Sequence, residues 1–345
     1  MNVHFPDPET IQSIVSLAVR APSVHNSQPW RWRIGECTMD LYADRDRHLP
    51  ATDPDERDLL LSCGASLHHA LVALAASGWQ AKVHRFPDAA DPNHLAVLEV
   101  YRRAAGELDI ALAAAIPRRR TDRRLYNSWP VPAADIGLMG ARAARAGVML
   151  RLVESLPKLR HIVAESVRLH ATDYDYLSEL TIWSGRYASR AGVPARNTPQ
   201  PDRTAPIPAR RFAGPALAQP TGTVAEDDAA VVLALGTKDD SQLSRLRAGE
   251  ATSLVLLSAT AMGLASCPVT EPLEVSATRS AVQEEVFGGD GYAQMLLRVG
   301  WAPVNAEPLP STPRRPLTDV VEWVGRVGGS LETGAVSDGI RQIIS

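Results

Sequence analysis

The chain has 345 residues, 45% of them hydrophobic and 22% charged, with a formal net charge of -3. These values exclude a disordered chain, a collagen-like repeat and a disulfide-dense miniprotein, and the length suits about two domains or one architecture built twice. With 36 basic against 39 acidic residues there is no global field for nucleic acid or anionic lipid, so anion binding must rest on local clusters.

Lysine occurs only at Lys82, Lys158 and Lys238, and the other basic residues are arginines, whose planar fork suits phosphate or carboxylate. GC-rich coding produces the same bias. Cys37, Cys63 and Cys267 form no C-x-x-C pair and leave one over, which speaks against a disulfide framework or a zinc site and fits a reducing cytoplasm. Residues 1–10 show no basic or apolar leader region, so no secretory signal is expected.

Taken in chain order, residues 9–19 are apolar at helical spacing and lead through a Pro-rich turn to a strand at 30–34. Residues 59–81 form the first of two long uncharged stretches, followed by a strand at 94–101. Residues 103–125 hold a short helix and an arginine cluster, then a helix at 135–146 and a strand at 148–154 are predicted. Residues 184–224 carry Pro194, Pro199, Pro201, Pro206, Pro208, Pro215 and Pro220 without periodicity, which reads as a functional loop or lid, or as disorder. The second long stretch, 251–270, precedes a strand at 292–300, and a Gly-rich tail from Gly325 is expected to be mobile.

Both long stretches could span a bilayer, but His68, His69, several Ser and Thr residues and Pro268 favour core helices. His68 and His69 point about 100° apart on a helix and so cannot share a metal. The two stretches share a register, Gly64-x13-Gly78 and Gly249-x13-Gly263. A helix that is small and apolar on nearly every face must be surrounded by protein, and its closing glycine suits a left-handed cap. Helix, strand, long helix and strand therefore recur, predicting an α+β unit duplicated over residues 1–115 and 116–325, with 326–345 as tail.

Three strings carry chemical content. In Ala21-Pro22-Ser23-Val24-His25-Asn26-Ser27-Gln28-Pro29-Trp30, two prolines fix a turn crowded with polar groups, which either bond one another or read the edge of a planar polar ring. Ile116-Pro117-Arg118-Arg119-Arg120-Thr121-Asp122-Arg123-Arg124 concentrates five arginines around a hydroxyl. If Pro117 opens a helix, its free N–H groups, Thr121 and alternate arginines form an anion cradle, and otherwise the string is a solvated basic patch or an RNA contact. Cys267-Pro268-Val269-Thr270-Glu271-Pro272 follows the second long stretch directly. No G-x-G-x-x-G follows a strand and no G-x-x-x-x-G-K-[ST] occurs.

The first string resembles the A-P-S-x-x-N-x-Q-P-W signature of the FMN-dependent nitroreductase family. Arg119, Thr121 and Arg123 are similar to its R-x-S-x-R/K phosphate motif, with Thr for Ser. The resemblance implies a nitroreductase-like fold, with FMN met at its ring edge by Pro22, Ser23, His25, Asn26 and Gln28. It also implies that Arg119, Thr121, Arg123, Arg314 and Arg315 hold the phosphate and that Pro268, Thr270 and Glu271 pass the flavin N5. Pro272 stands where the family has Gly and removes an N–H from that segment.

Family members are homodimers with two interfacial sites. Here residues 1–9 lack the arginine motif and Ala144-Arg145-Ala146-Gly147-Val148 replaces the second loop, so one complete site is expected between two tandem repeats that form an intramolecular pseudo-dimer. The resemblance covers roughly residues 11–323 and is closest to the tandem, Acg-like NAD(P)H nitroreductases. It implies hydride transfer from NAD(P)H through flavin N5 to a nitroaromatic or quinone acceptor, or alternatively FMN sequestered, or used to sense redox state, under residues 184–224. It implies no nucleic-acid or membrane partner, and a monomer or weak homodimer. Trp183, Arg186 and Tyr187 are read as a lid hinge.

Overall fold

The computed structural model describes residues 5–185, 189–202, 204–220 and 224–324. The hinge residues Arg186 and Tyr187 and the tail at 326–345 lie outside them.

Helix α1 (Pro8–Ala18) is started by Asp7, whose carboxylate accepts from Thr10 N at 2.9 Å, with Pro8 in its first turn. Ile11, Ile14, Val15 and Ala18 form its buried stripe. Strands β1 (Trp30–Ile34) and β2 (Thr38–Ala43) form an antiparallel hairpin in which Trp30, Trp32 and Ile34 alternate inward. Helix α2 (Arg57–Ala76) follows, its first N–H groups capped at a distance by Asp53, which accepts from Asp58 N at 2.9 Å and Leu59 N at 2.8 Å. Gly78, at φ +78°, stops it, and β3 (Trp79–Arg85) and β4 (His94–Arg102) complete the unit before α3 (Glu107–Ala115).

The second part begins with α4 (Ala133–Arg145) and β5 (Met149–Leu152). Helices α5 (Leu156–His170) and α6 (Tyr174–Ile182) and the Pro-rich segment then intervene before β6 (Val231–Thr237). After them come α7 (Gln242–Ala261), β7 (Ala265–Val269), α8 (Glu271–Glu274), α9 (Ser276–Phe287) and β8 (Tyr292–Gly300), and near the end of the described chain β9 (Val321–Trp323). The protein is thus of the α+β class.

The two sheets have matching orders, β3-β4-β2-β1-β9 and β7-β8-β6-β5. Each has a register shift at the corresponding place, at Leu41/Tyr42 in β2 and Leu235/Gly236 in β6. Strand β9 pairs with β1 in the first sheet, so the chain end expected with the segment 116–325 crosses back to the other half.

Between the sheets α2 and α7 pack at Gly64 and Gly249. A Cβ on Gly64 would lie 2.1 Å from Leu246 O, and one on Gly249 would lie 2.1 Å from Leu61 O, so only glycine permits the approach on either side. Nearly every face of α2 is buried, which accounts for its membrane-like composition.

The second long helix differs from expectation. It runs over α7 rather than 251–270, because Arg245, Arg247 and Glu250 obscure its polar first turns, while Gly263 at φ +84° ends it early. Residues 265–269, expected as helix, form edge strand β7, where Pro268 costs no ladder bond on the open side. Cys63 and Cys267 are buried and no disulfide is present among the described residues.

His68 and His69 pack in the helix interface, where both Nδ1 atoms reach Ser253 Oγ, at 2.7 Å and 2.9 Å. Burial pushes the His68 imidazole down to about 4, and burial followed by the charge of Arg119 holds His69 well below its ordinary range. Below pH about 6.5 the unfolded chain takes up protons that the folded chain refuses, so stability is full above that pH and falls as pH drops toward 4. Urea unfolding at pH 5 should show a loss of about 2 kcal/mol per histidine relative to pH 7.5. His69→Gln should reduce the pH slope.

Candidate functional site

Among the described residues a cavity is walled by the turn after α1, the start of α2, the middle of α7, the arginine string, the end of β7 and the Pro-rich segment. Its empty space, mouth included, is about 1300 Å3, ample for a mid-sized planar ligand.

The turn is strained where it meets the cavity: His25, Asn26 and Gln28 all have left-handed φ, at 44°, 55° and 54°. Its hydrogen bonds hold it there. Val24 N donates to Ser62 Oγ at 3.1 Å, Gln28 N to Ser23 Oγ at 2.9 Å, and Asn26 Nδ2 to Gly192 O and Pro313 O, each at 3.1 Å. Pro22, Ser23, His25 and Asn26 line the cavity. Gln28 does not: it is wholly buried, donates to Arg190 O at 3.0 Å and accepts from Arg315 N at 2.8 Å, tying the turn to two distant segments.

Pro117 does not open a helix. Helix α3 ends at Ala115, and Arg118 N and Arg119 N donate back to Ala115 O at 3.1 Å and 2.8 Å, so Pro117 stands just beyond a C-terminus, a position proline commonly takes. The following residues are extended beside β7, with Asp122 N donating to Ser266 O at 3.0 Å. Extended backbone alternates its side chains, so Arg119, Thr121 and Arg123 face the cavity together. Asp122 and Arg124 turn away and pair with each other at 2.8 Å. The anion-binding groups are therefore side chains, without helix N–H groups.

Arg119 is 7% exposed; its Nη1 reaches Thr121 Oγ1 at 3.4 Å and its Nε meets no acceptor. Burial, then repulsion from Arg120, Arg20 and Arg123, pushes its guanidinium down to about 10. Arg314 reaches the cavity from the C-terminal arm while its guanidinium caps α1, donating to Val19 O at 2.9 Å, Arg20 O at 2.9 Å and Asn26 Oδ1 at 3.0 Å. Burial and Arg119 bring it down to about 9. Arg123 lies over the Phe212 ring at 4.9 Å. Arg315 is not a cavity residue: its guanidinium bonds Asp44 at 3.1 Å and Asp319 O at 2.7 Å, a structural pairing.

At the opposite wall, Pro268, Thr270 and Glu271 line the cavity. Glu271 approaches His170 Nδ1 at 3.4 Å, and His170 stacks on Tyr176 with ring centroids 3.7 Å apart.

The sequence did not point to Arg210, whose side chain is 8% exposed and enters the cavity from the Pro-rich segment. It bonds His25 Nε2 at 2.5 Å, Thr270 Oγ1 at 3.0 Å and the Glu274 carboxylate. Burial, then the charge of Arg210, holds His25 well below its ordinary range. Asp58 was missed too; it is 2% exposed, lines the cavity, and its Oδ2 has no partner. The only signal for Arg210 was the basic-aromatic string Arg210-Arg211-Phe212 inside a stretch without periodicity.

Fold and site together define an α+β protein with an arginine-lined cavity among the described residues. The chain is 63% identical over 323 residues to the Mycobacterium tuberculosis protein named Putative NAD(P)H nitroreductase Rv3131, covering 94% of each. It is 38% identical to the same organism's Putative NAD(P)H nitroreductase acg, covering 90% of this chain and 95% of that one. It belongs to this nitroreductase family. No family model matches the chain. Among solved structures, a nitroreductase with bound FMN from Desulfitobacterium hafniense is 13% identical, with a TM-score of 0.40 over 62% of this chain and 98% of that one.

Proposed function

We propose that the cavity binds FMN and that the protein is an NAD(P)H-dependent flavin oxidoreductase. The observation that carries this reading is the buried cluster of Arg119, Arg123 and Arg314, none of which pairs with a carboxylate among the described residues, with an unpartnered Arg119 Nε. A buried cation without a counterion is costly, and a phosphate dianion supplies the missing charge and acceptors. Arg119, Thr121, Arg123 and Arg314 hold the phosphate, Pro22, Ser23, His25 and Asn26 meet the ring edge, and Pro268, Thr270 and Glu271 form the facing wall. Bound FMN supplies the redox chemistry, accepting hydride from NAD(P)H at N5 and passing it to a nitroaromatic or quinone acceptor. The protein's part is to position the ring, limit water and set the local field.

The matched strand orders and the reciprocal Gly64 and Gly249 contact support two tandem repeats, residues 1–115 and 116–325, acting as an intramolecular pseudo-dimer that needs no second chain. The buried thiols of Cys63 and Cys267 suit a reducing, cytoplasmic setting.

A second reading, FMN held without turnover for storage or redox sensing, is favoured by Arg210. Its bonds to Thr270, Glu274 and His25 fasten residues 184–224 across the cavity as a lid. Mixing the flavin-loaded chain with NADPH or NADH and following bleaching at about 450 nm separates the two. Rapid bleaching supports the oxidoreductase, and reduction by dithionite alone supports the sequestering protein. Arg210→Ala should speed reduction by NAD(P)H at least about tenfold, the equivalent of one charge-assisted bond; an unchanged rate contradicts the fastening role.

A further inference from the structure

The correspondence of the two halves points to a second place on the molecule. Gly64 aligns with Gly249 and Gly78 with Gly263, and His68 and Ser253, equivalent in this register, meet each other at 2.7 Å. The same register sets Ser62 against Arg247, Ala65 against Glu250 and Thr270 against Arg85. The turn after α1 has its counterpart in the turn after α4, at Arg145, Ala146 and Gly147.

These counterpart residues line a single cleft, with about 610 Å3 of empty space including its open mouth. Where the first cavity keeps Ser62 and Ala65 small, the cleft carries Arg247 and Glu250. Arg85 grips Glu250 through two bonds of 2.7 Å, Nε to Oε1 and Nη2 to Oε2, and both residues line the cleft. Three guanidinium groups face one carboxylate, and among the described residues neither Arg145 nor Arg247 pairs with an acid.

We propose that this cleft is a second ligand site, for a small phosphate-bearing anion, with Arg145 and Arg247 as its donors and the Arg85–Glu250 pair as its rigid floor. Arginine suits this chemistry because its fork donates two parallel bonds to a phosphate. The proposal rests on these residues alone and holds whether or not the first cavity takes a flavin.

The test is calorimetric titration of the full chain with pyrophosphate at low ionic strength, beside three variants. Saturable binding is expected, weakened at least about tenfold in Arg145→Ala/Arg247→Ala, where charge-assisted bonds are lost. Arg119→Ala removes anion binding at the first cavity and should leave in place the separate event that the double alanine variant loses. Both cleft arginines are exposed, so the double variant should melt with the parent, and Arg145→Lys/Arg247→Lys, which keeps the charge but not the fork, should bind between the parent and the double alanine variant. Absence of saturable binding overturns the proposal. So does equal binding by the double alanine variant, and a single binding event lost in Arg119→Ala but kept in the double variant would assign the anion to the first cavity.

Discussion

Arg119→Met should weaken FMN binding roughly 10- to 150-fold, about 1.5–3 kcal/mol for one charge-assisted contact, while raising the stability of the flavin-free chain. The opposite signs have one cause. In the free protein Arg119 is buried among Arg20, Arg120 and Arg123 with an unpartnered Nε, so its charge is a liability. Replacing a buried, uncompensated ion by an apolar side chain of similar volume commonly gains about 1–4 kcal/mol. With flavin bound, the same charge faces a phosphate and the balance reverses. Flavin fluorescence titration measures the first effect and thermal unfolding of the flavin-free chain the second. Arg123→Met should lower both quantities, because Arg123 also donates to Asn197 O at 3.3 Å and lies over Phe212. Unchanged FMN affinity in Arg119→Met would remove this residue from the phosphate site.

Alanine at Gly64 or Gly249 should cost at least about 3 kcal/mol, although the same exchange in an ordinary helix interior gains about 1 kcal/mol. The reversal follows from backbone contact. The new Cβ at Gly64 meets Leu246 O at 2.1 Å, and at Gly249 it meets Leu61 O at 2.1 Å, so no side-chain rotation relieves either clash. The helices must part. Because one separation relieves both clashes, the double variant should lose less than the sum of the singles, and a double-mutant cycle from urea midpoints reads that coupling. Flavin retention should fall with stability, since Ser62 and Ala65 of α2 and Thr252 of α7 wall the same cavity. A stabilising alanine at either glycine would contradict the described contact.

The glycine register was legible because close helix packing imposes its own spacing, and the set Arg119, Thr121, Arg123 was legible through its resemblance to the family's R-x-S-x-R/K motif, while the extended backbone that aligns it was not. What failed were boundaries and directions. Pro117 marks a helix start or a helix stop with equal local sense, and only the preceding α3 decides. Residues 265–269 continue the apolar run of α7, so the stretch reads as one long helix up to residue 270 although its closing glycine, Gly263, was legible as a left-handed cap. Gln28 and Arg315 belong to the right motifs, yet long-range bonds turn them away from the cavity, and such partners leave no local trace. Arg210 was hidden for the same reason, its position being fixed by His25 and Glu274 far along the chain.

Whether the two halves share one flavin cavity is read most directly from the visible spectrum and flavin content of the purified chain after equilibration with FMN and desalting. The prediction is a yellow protein with about one FMN per chain, consistent with a single complete set of cavity residues. A colourless chain that retains no FMN would contradict it.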